Sequence, residues 1–171
     1  MAKLFLMMRN SADRGKSYWA HHHLDKNTKY ISRDNIRFSM LKDEDDYFAK
    51  EKQVFKEFCR QINLATKEYN RVFADATHID FSSRAKLLNK IDKNSLEEIN
   101  IILLDTNLGE CIRRNSSRKG REVVPENVIR NMYQRLTIPD INESFDNIYI
   151  IHTGGDIDRI SYKRNILKEE L

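Results

Sequence analysis

An apolar run, Leu4-Phe5-Leu6-Met7-Met8, passes through a polar turn into Gly15-Lys16-Ser17 and then into a stretch of helical character. No other feature constrains the fold as much. A short apolar run suits a buried strand. Strand, turn, Gly-Lys-Ser and helix in that order form the context of a phosphate-binding loop. Backbone N–H groups of the turn and of the helix start face anionic phosphate. A lysine there adds charge for the β- and γ-phosphates, and a serine hydroxyl ligates Mg²⁺. The loop departs from its pattern at Asn10, where glycine is expected. Asparagine tolerates left-handed φ better than most residues but still carries a side chain. Asp13 sets a negative charge in mid-loop, and Arg14 beside it offsets that charge.

Five short apolar runs read as strands: Leu4–Met8, Tyr30–Ile31, Val72–Ala74, Ile99–Leu104 and Ile148–Ile151. Helical patterns separate them, and such alternation predicts a parallel sheet with helices on both faces. Helices are expected over Gly15–Lys26, Asn35–Leu41, Tyr47–Tyr69, Ser82–Ile91, Leu108–Arg118, Pro125–Leu136 and Ile157–Leu171. Ser32 or Asp34 would cap the second of these. In the long third helix, Phe48, Phe55, Cys59, Ile62 and Tyr69 fall on or near one face. They are expected to be core, not a platform for stacking bases. Gly154-Gly155 marks a turn, and His21-His22-His23 reads as one exposed helical turn and not a metal site. At 171 residues the chain is expected to form one domain, 1–171.

Polar clusters stand at the strand ends, where open α/β sheets bind ligands. The second strand runs into Ser32-Arg33-Asp34-Asn35-Ile36-Arg37. Asp34 and Arg37 are three apart at a helix start and share a face. A carboxylate there can take a proton from a hydroxyl, and an arginine can grip phosphate in a fork of bonds. An N-cap with a local ion pair is the plainer alternative. The third strand ends in Asp75-Ala76-Thr77-His78. Asp75 would face the crevice, to orient Arg37 or to act through water on Mg²⁺, unless it only closes a turn with Thr77. His78 is expected at the surface. After the fourth strand, Arg113-Arg114-Asn115-Ser116-Ser117-Arg118-Lys119-Gly120-Arg121 puts Arg114 and Arg118 on one helical face. Such a segment can cover a triphosphate, or simply be solvated.

In their order, these clusters resemble the P-loop kinases of the polynucleotide 5′-hydroxyl kinase type. The resemblance spans about Lys3 to Pro139 and includes Val124-Pro125 ahead of a helix reaching Met132-Tyr133. It implies a P-loop NTPase, nucleotide-kinase-like α/β fold: a parallel five-stranded sheet with helices on both faces and an arginine-bearing lid over about 107–124. It also implies ATP and Mg²⁺ as cofactors and transfer of phosphate to the 5′-hydroxyl of DNA or RNA. Asn10, Asp13, Arg14, Gly15, Lys16, Ser17 and Tyr18 would surround the nucleotide, with Ser17 on Mg²⁺. Lys16 would bind the β- and γ-phosphates, Asp34 would be the general base, and Arg37 would grip the neighbouring phosphate of the acceptor. Asp75, Thr77 and His78 would line the acceptor crevice. Arg114 and Arg118 would be lid arginines on the donor phosphates. The loop departs from the family at Ala12 and Asp13, where proline and glycine are usual, and at Tyr18, where a small hydroxyl residue is usual.

Three explanations of the altered loop stay open: a working kinase with unusual donor binding, a pseudokinase that keeps its acceptor site, and a loop altered by engineering. A P-loop kinase for a small nucleoside or sugar is a further alternative. Thirty Lys and Arg against 26 Asp and Glu leave a net charge of +4, which suits anionic partners without demanding them. The two cysteines, Cys59 and Cys111, are far apart and read as reduced thiols. No apolar run approaches the length of a membrane span and no signal-peptide pattern is visible, so the expected location is the cytoplasm.

Overall fold

A computed structural model describes residues 1–9, 20–120, 123–152 and 157–161, with the side chains of Arg9, Ile141 and Ser161 left aside. The loop residues Asn10, Asp13, Arg14, Gly15, Lys16, Ser17 and Tyr18 lie outside these ranges, as do Gly154-Gly155 and the tail from 162.

In chain order the strands are β1 (Ala2–Arg9), β2 (Thr28–Ser32), β3 (Arg71–Asp75), β4 (Leu96–Asp105), β5 (Asn147–His152) and β6 (Ile157–Ser161). They form one sheet in the order β2-β3-β1-β4-β5-β6. The first five are mutually parallel, and β6 returns antiparallel to β5. The helices are α1 (Arg33–Met40), α2 (Glu51–Glu68), α3 (Phe81–Leu88), α4 (Leu108–Ser116) and α5 (Glu126–Arg135).

Both faces of the sheet are covered, as parallel strands require. Leu4, Leu6 and Met8 of β1 pack into a cluster with Val54, Phe58 and Ile62 of α2. These helical residues recur every fourth position, so they line one stripe of the helix. Met7 joins Phe73, Ile102, Leu104 and Ile151 in a second cluster. Phe58 is fully buried, and truncating such a ring to alanine costs about 3–5 kcal/mol.

Caps set the helix starts. Ser32 accepts the Asn35 N–H at the head of α1. Asp80 and Ser83 form a reciprocal box at the head of α3, and Asn107 accepts the Glu110 N–H at the head of α4. Pro125 directly precedes α5.

Three expectations need correction. The long helix starts at Glu51, not Tyr47. Asp45 accepts the Lys42 N–H, and Lys50 reaches back to the Met40 carbonyl, so residues 42–50 fold as turns. Phe48 is consequently 69% exposed and is no core residue, whereas Cys59 and Ile62 are buried. The expected terminal helix at Ile157 is instead β6, paired along β5 and held by Arg159 to Asn147. Cys59 and Cys111 are both buried thiols, neither in a disulfide. Among the described residues no helix is long and apolar enough to cross a membrane.

Candidate active site

The parallel strands end at one edge. Register sets Ser32 of β2 and Met7 of β1 on either side of Asp75 of β3. Ser32 caps α1, so Asp34 and Arg37 open that helix at the same edge.

Arg37 Nη1 donates to Asp34 Oδ1 at 2.5 Å and to the Tyr47 hydroxyl at 2.8 Å. Its Nη2 donates to Glu51 Oε2 at 2.7 Å. The Tyr47 hydroxyl in turn donates to Asp34 Oδ1 at 2.8 Å. Arg33 Nη2 also donates to Glu51, so one carboxylate holds both arginines. Arg37 is 5% exposed, and its Nε is buried with no hydrogen-bond partner among the described residues. The Asp34 side chain, in contrast, is half exposed.

The electrostatics fit the geometry. Burial works against the Arg37 charge, but the hydrogen bond to Glu51 and the charges of the Glu51 and Asp34 carboxylates outweigh it and hold the guanidinium above its ordinary value. Burial of the Tyr47 hydroxyl, and then the Asp34 charge, push that phenol up. Tyr47 therefore stays a neutral donor around neutral pH. Asp34 Oδ1 is taken by two donors, while Oδ2 receives none among the described residues. A half-exposed carboxylate with one oxygen occupied and one open is built to accept a proton from a positioned hydroxyl.

Asp75 is buried, and its Oδ2 accepts the Tyr30 hydroxyl. Asp34 and Asp75 thus stand at the same ends of the strands and share no hydrogen-bond partner among the described residues. Thr77 is exposed. His78 is not at the surface as expected: it is 3% exposed, at φ 47°, with its ring 6.2 Å from Phe58. The cause is Arg84, fully buried, whose Nη1 binds the His78 carbonyl at 3.1 Å. Arg84 also meets Glu143 through Nε at 2.6 Å and Nη2 at 2.9 Å, and Thr137 through its carbonyl at 2.9 Å.

On α4, Arg114 Nε donates to Glu110 at 2.5 Å, and Glu110 also holds Arg113. Arg118 follows the helix, its N–H on the Asn115 carbonyl. The Asn115 side chain donates to the Val124 carbonyl at 2.8 Å and accepts the Val124 N–H at 3.0 Å. This buried amide ties the two ends of the segment carrying Arg118.

Among the described residues no cluster of three or more His, Cys, Asp or Glu could hold a metal. Asp75 is nonetheless a buried oxygen donor beside the end of β1, the strand that precedes Ser17 in the chain. A hard oxygen donor there fits Mg²⁺.

Tyr47 and Glu51 did not stand out in the sequence. They are 13 and 14 residues from the groups they bind, and only the fold joins them.

A family model described as an AAA domain matches residues 14–139. No curated protein matches the sequence. Among solved structures, the chain is similar to one from the Pnkp1/Rnl/Hen1 RNA repair complex, at 20% identity and a TM-score of 0.65. That match covers 79% of this chain and 44% of the other, so the chain spans less than half of that relative's length. It is also similar to a sugar kinase from Janibacter sp. HTCC2649, at 13% identity and a TM-score of 0.59, over 100% of this chain and 92% of that one. A gluconokinase from Sinorhizobium meliloti 1021 matches at 14% identity and a TM-score of 0.57, over 99% and 89%. At such identities the likeness is one of fold.

Proposed function

The chain belongs to the AAA domain family, a kinase-like family of P-loop phosphotransferases, and from that premise we propose that it moves the γ-phosphoryl group of ATP to the 5′-hydroxyl of a polynucleotide. The observation that carries the proposal is Asp34, whose carboxylate is half exposed at the sheet edge and is held from one side by Arg37 and Tyr47.

In the proposed reaction Asp34 takes the proton of the acceptor hydroxyl. The hydroxyl oxygen bonds to the γ-phosphorus as the bond from that phosphorus to the β-phosphate oxygen breaks, and ADP leaves. Phosphoryl transfer asks little covalent chemistry of the protein, so positioning and charge are the main requirements. Lys16, Arg114 and Arg118 supply charge for the donor phosphates, and Ser17 with Asp75 would hold Mg²⁺. When bound, the metal neutralises charge that gathers on the transferring group. Arg37, itself almost wholly buried, orders the Asp34 carboxylate that meets the acceptor, and Thr77, exposed after β3, would line the acceptor crevice.

The test is transfer of labelled phosphate from ATP to a 5′-hydroxyl oligonucleotide, run beside Lys16→Ala. Labelled product from the wild type and none from the variant is the expected result. No product from either overturns the reading.

A second reading has its own observation. Arg37 is almost wholly buried between two carboxylates, and Asp43, Glu44, Asp45 and Asp46 lie close by in the chain. That surrounding suits an uncharged acceptor, a nucleoside or a sugar, better than a chain of phosphates. Transfer to a nucleoside or to a neutral sugar in the same assay, with none to the oligonucleotide, would favour it.

A further inference from the structure

We propose that Phe48, Tyr47 and Phe38 form a stacking surface for the nucleobase carried by the acceptor, so that the site selects a hydroxyl attached to a base. The inference rests on the transfer reading above and adds to it what the acceptor must carry.

Three aromatic side chains stand in solvent beside Asp34: Phe48 is 69% exposed, Tyr47 40% and Phe38 38%. They touch one another and form one patch. The Tyr47 and Phe48 rings meet edge to face at 4.8 Å, and the Phe38 and Tyr47 rings at 6.1 Å. The patch is anchored from beneath. The Arg37 guanidinium carbon lies 4.3 Å from the Tyr47 ring centre and 5.8 Å from that of Phe48. The Tyr47 hydroxyl ends on Asp34 itself. The aromatic surface thus begins at the carboxylate proposed to receive the proton. A base joined to the sugar that bears the reacting hydroxyl falls within reach of it.

The chemistry of the surroundings narrows the occupant. Asp43, Glu44, Asp45 and Asp46 precede Tyr47, and Asp45 meets Lys50 at 3.5 Å. This side of the site repels phosphate. What it can attract is a neutral planar ring, and every base presents one. An acceptor strand therefore sets its terminal base here and turns its backbone away.

The experiment compares two 5′-hydroxyl oligonucleotides, identical except that one lacks the base of its first nucleotide. Equilibrium affinity and labelled-phosphate transfer are both measured, for the wild type, Phe48→Leu and Phe48→Trp. Phe48 is exposed, so neither substitution disturbs the core. The wild type is expected to bind the base-bearing strand about tenfold or more tightly than the abasic one. Phe48→Leu should bring that ratio close to one by removing the ring while keeping an apolar side chain, and Phe48→Trp should preserve it. Equal affinities in the wild type, or a ratio that Phe48→Leu leaves unchanged, overturn the inference, and transfer to both strands would then leave the kinase reading standing. A base-dependent ratio with no transfer sinks the kinase reading and keeps the stacking surface. No binding of either strand sinks both.

Discussion

The Asp34 carboxylate and the Arg37 guanidinium share one turn of α1 and approach to 2.5 Å, yet one is half exposed and the other almost wholly buried. The buried partner holds the exposed one. Asp34 reaches solvent with its orientation set from below, which is what a general base needs before an acceptor arrives.

Asp34→Asn keeps an acceptor oxygen for Arg37 and Tyr47 but loses the basicity. Its kcat is expected to fall by about 10²–10⁴-fold, with affinity for a non-hydrolysable ATP analogue changed by less than about twofold. Steady-state kinetics and calorimetric titration check this. A variant of undiminished kcat removes Asp34 from the chemistry.

Asn10→Gly combined with Asp13→Gly removes a side chain and a negative charge from a loop meant for a polyanion. ATP affinity is expected to rise by about tenfold. Calorimetry on the double variant decides. Unchanged affinity would mean that the missing glycines do not handicap the loop.

Arg84 and Glu143 form an ion pair with side chains 0% and 3% exposed. Arg84→Met strands the Glu143 carboxylate and leaves the His78 and Thr137 carbonyls without their donor. The cost is expected to be about 3–5 kcal/mol, whereas Arg84→Met with Glu143→Leu should recover most of it. Urea unfolding of the wild type, the single and the double variant reads this directly. A double variant as unstable as the single would contradict it.

His152 donates toward Asp158 at 2.9 Å and Asp105 at 3.1 Å. These two carboxylates, Asp158 first, raise its pKa above the ordinary 6.5. The folded chain therefore holds this proton more tightly than the unfolded chain. The stabilisation is complete below pH 6.5 and fades as pH rises through the raised value. His152→Asn should melt below the wild type by a margin that is largest just below pH 6.5 and narrows as the pH rises above it. Thermal melts across that range provide the check. A margin that grew with pH would reverse the assignment.

Much of the fold was legible because its signals are local. The strand cores were visible as apolar runs, and the cap at Ser32 follows from a side chain binding backbone three residues on. The pairing of Asp34 with Arg37 was legible for the same reason, since three residues on a helix is a fixed geometry. Phe48 was misplaced because its apolar character suits a helix stripe, while the bonds that turn the chain aside, Asp45 with the Lys42 N–H and Lys50 with the Met40 carbonyl, leave no mark on the apolar periodicity. The burial of His78 depends on Arg84, Thr137 and Glu143, which no spacing connects. The segment at Ile157 had too little periodicity to separate helix from strand, and pairing with β5 decided it.

The amides between β4 and β5 carry one more consequence. Asn100 and Asn147 lie directly opposite each other across β4 and β5, both buried, with Asn147 donating to Asn100 at 2.6 Å and Arg159 of β6 closing on the same Asn147. Sliding β5 by a single position would strand both amides among aliphatic neighbours, so they act as a key that admits one alignment only. The same alignment, counted five steps along, is what brings Asp105 opposite His152. A polar lock at the foot of these strands thereby sets which groups meet at their tips.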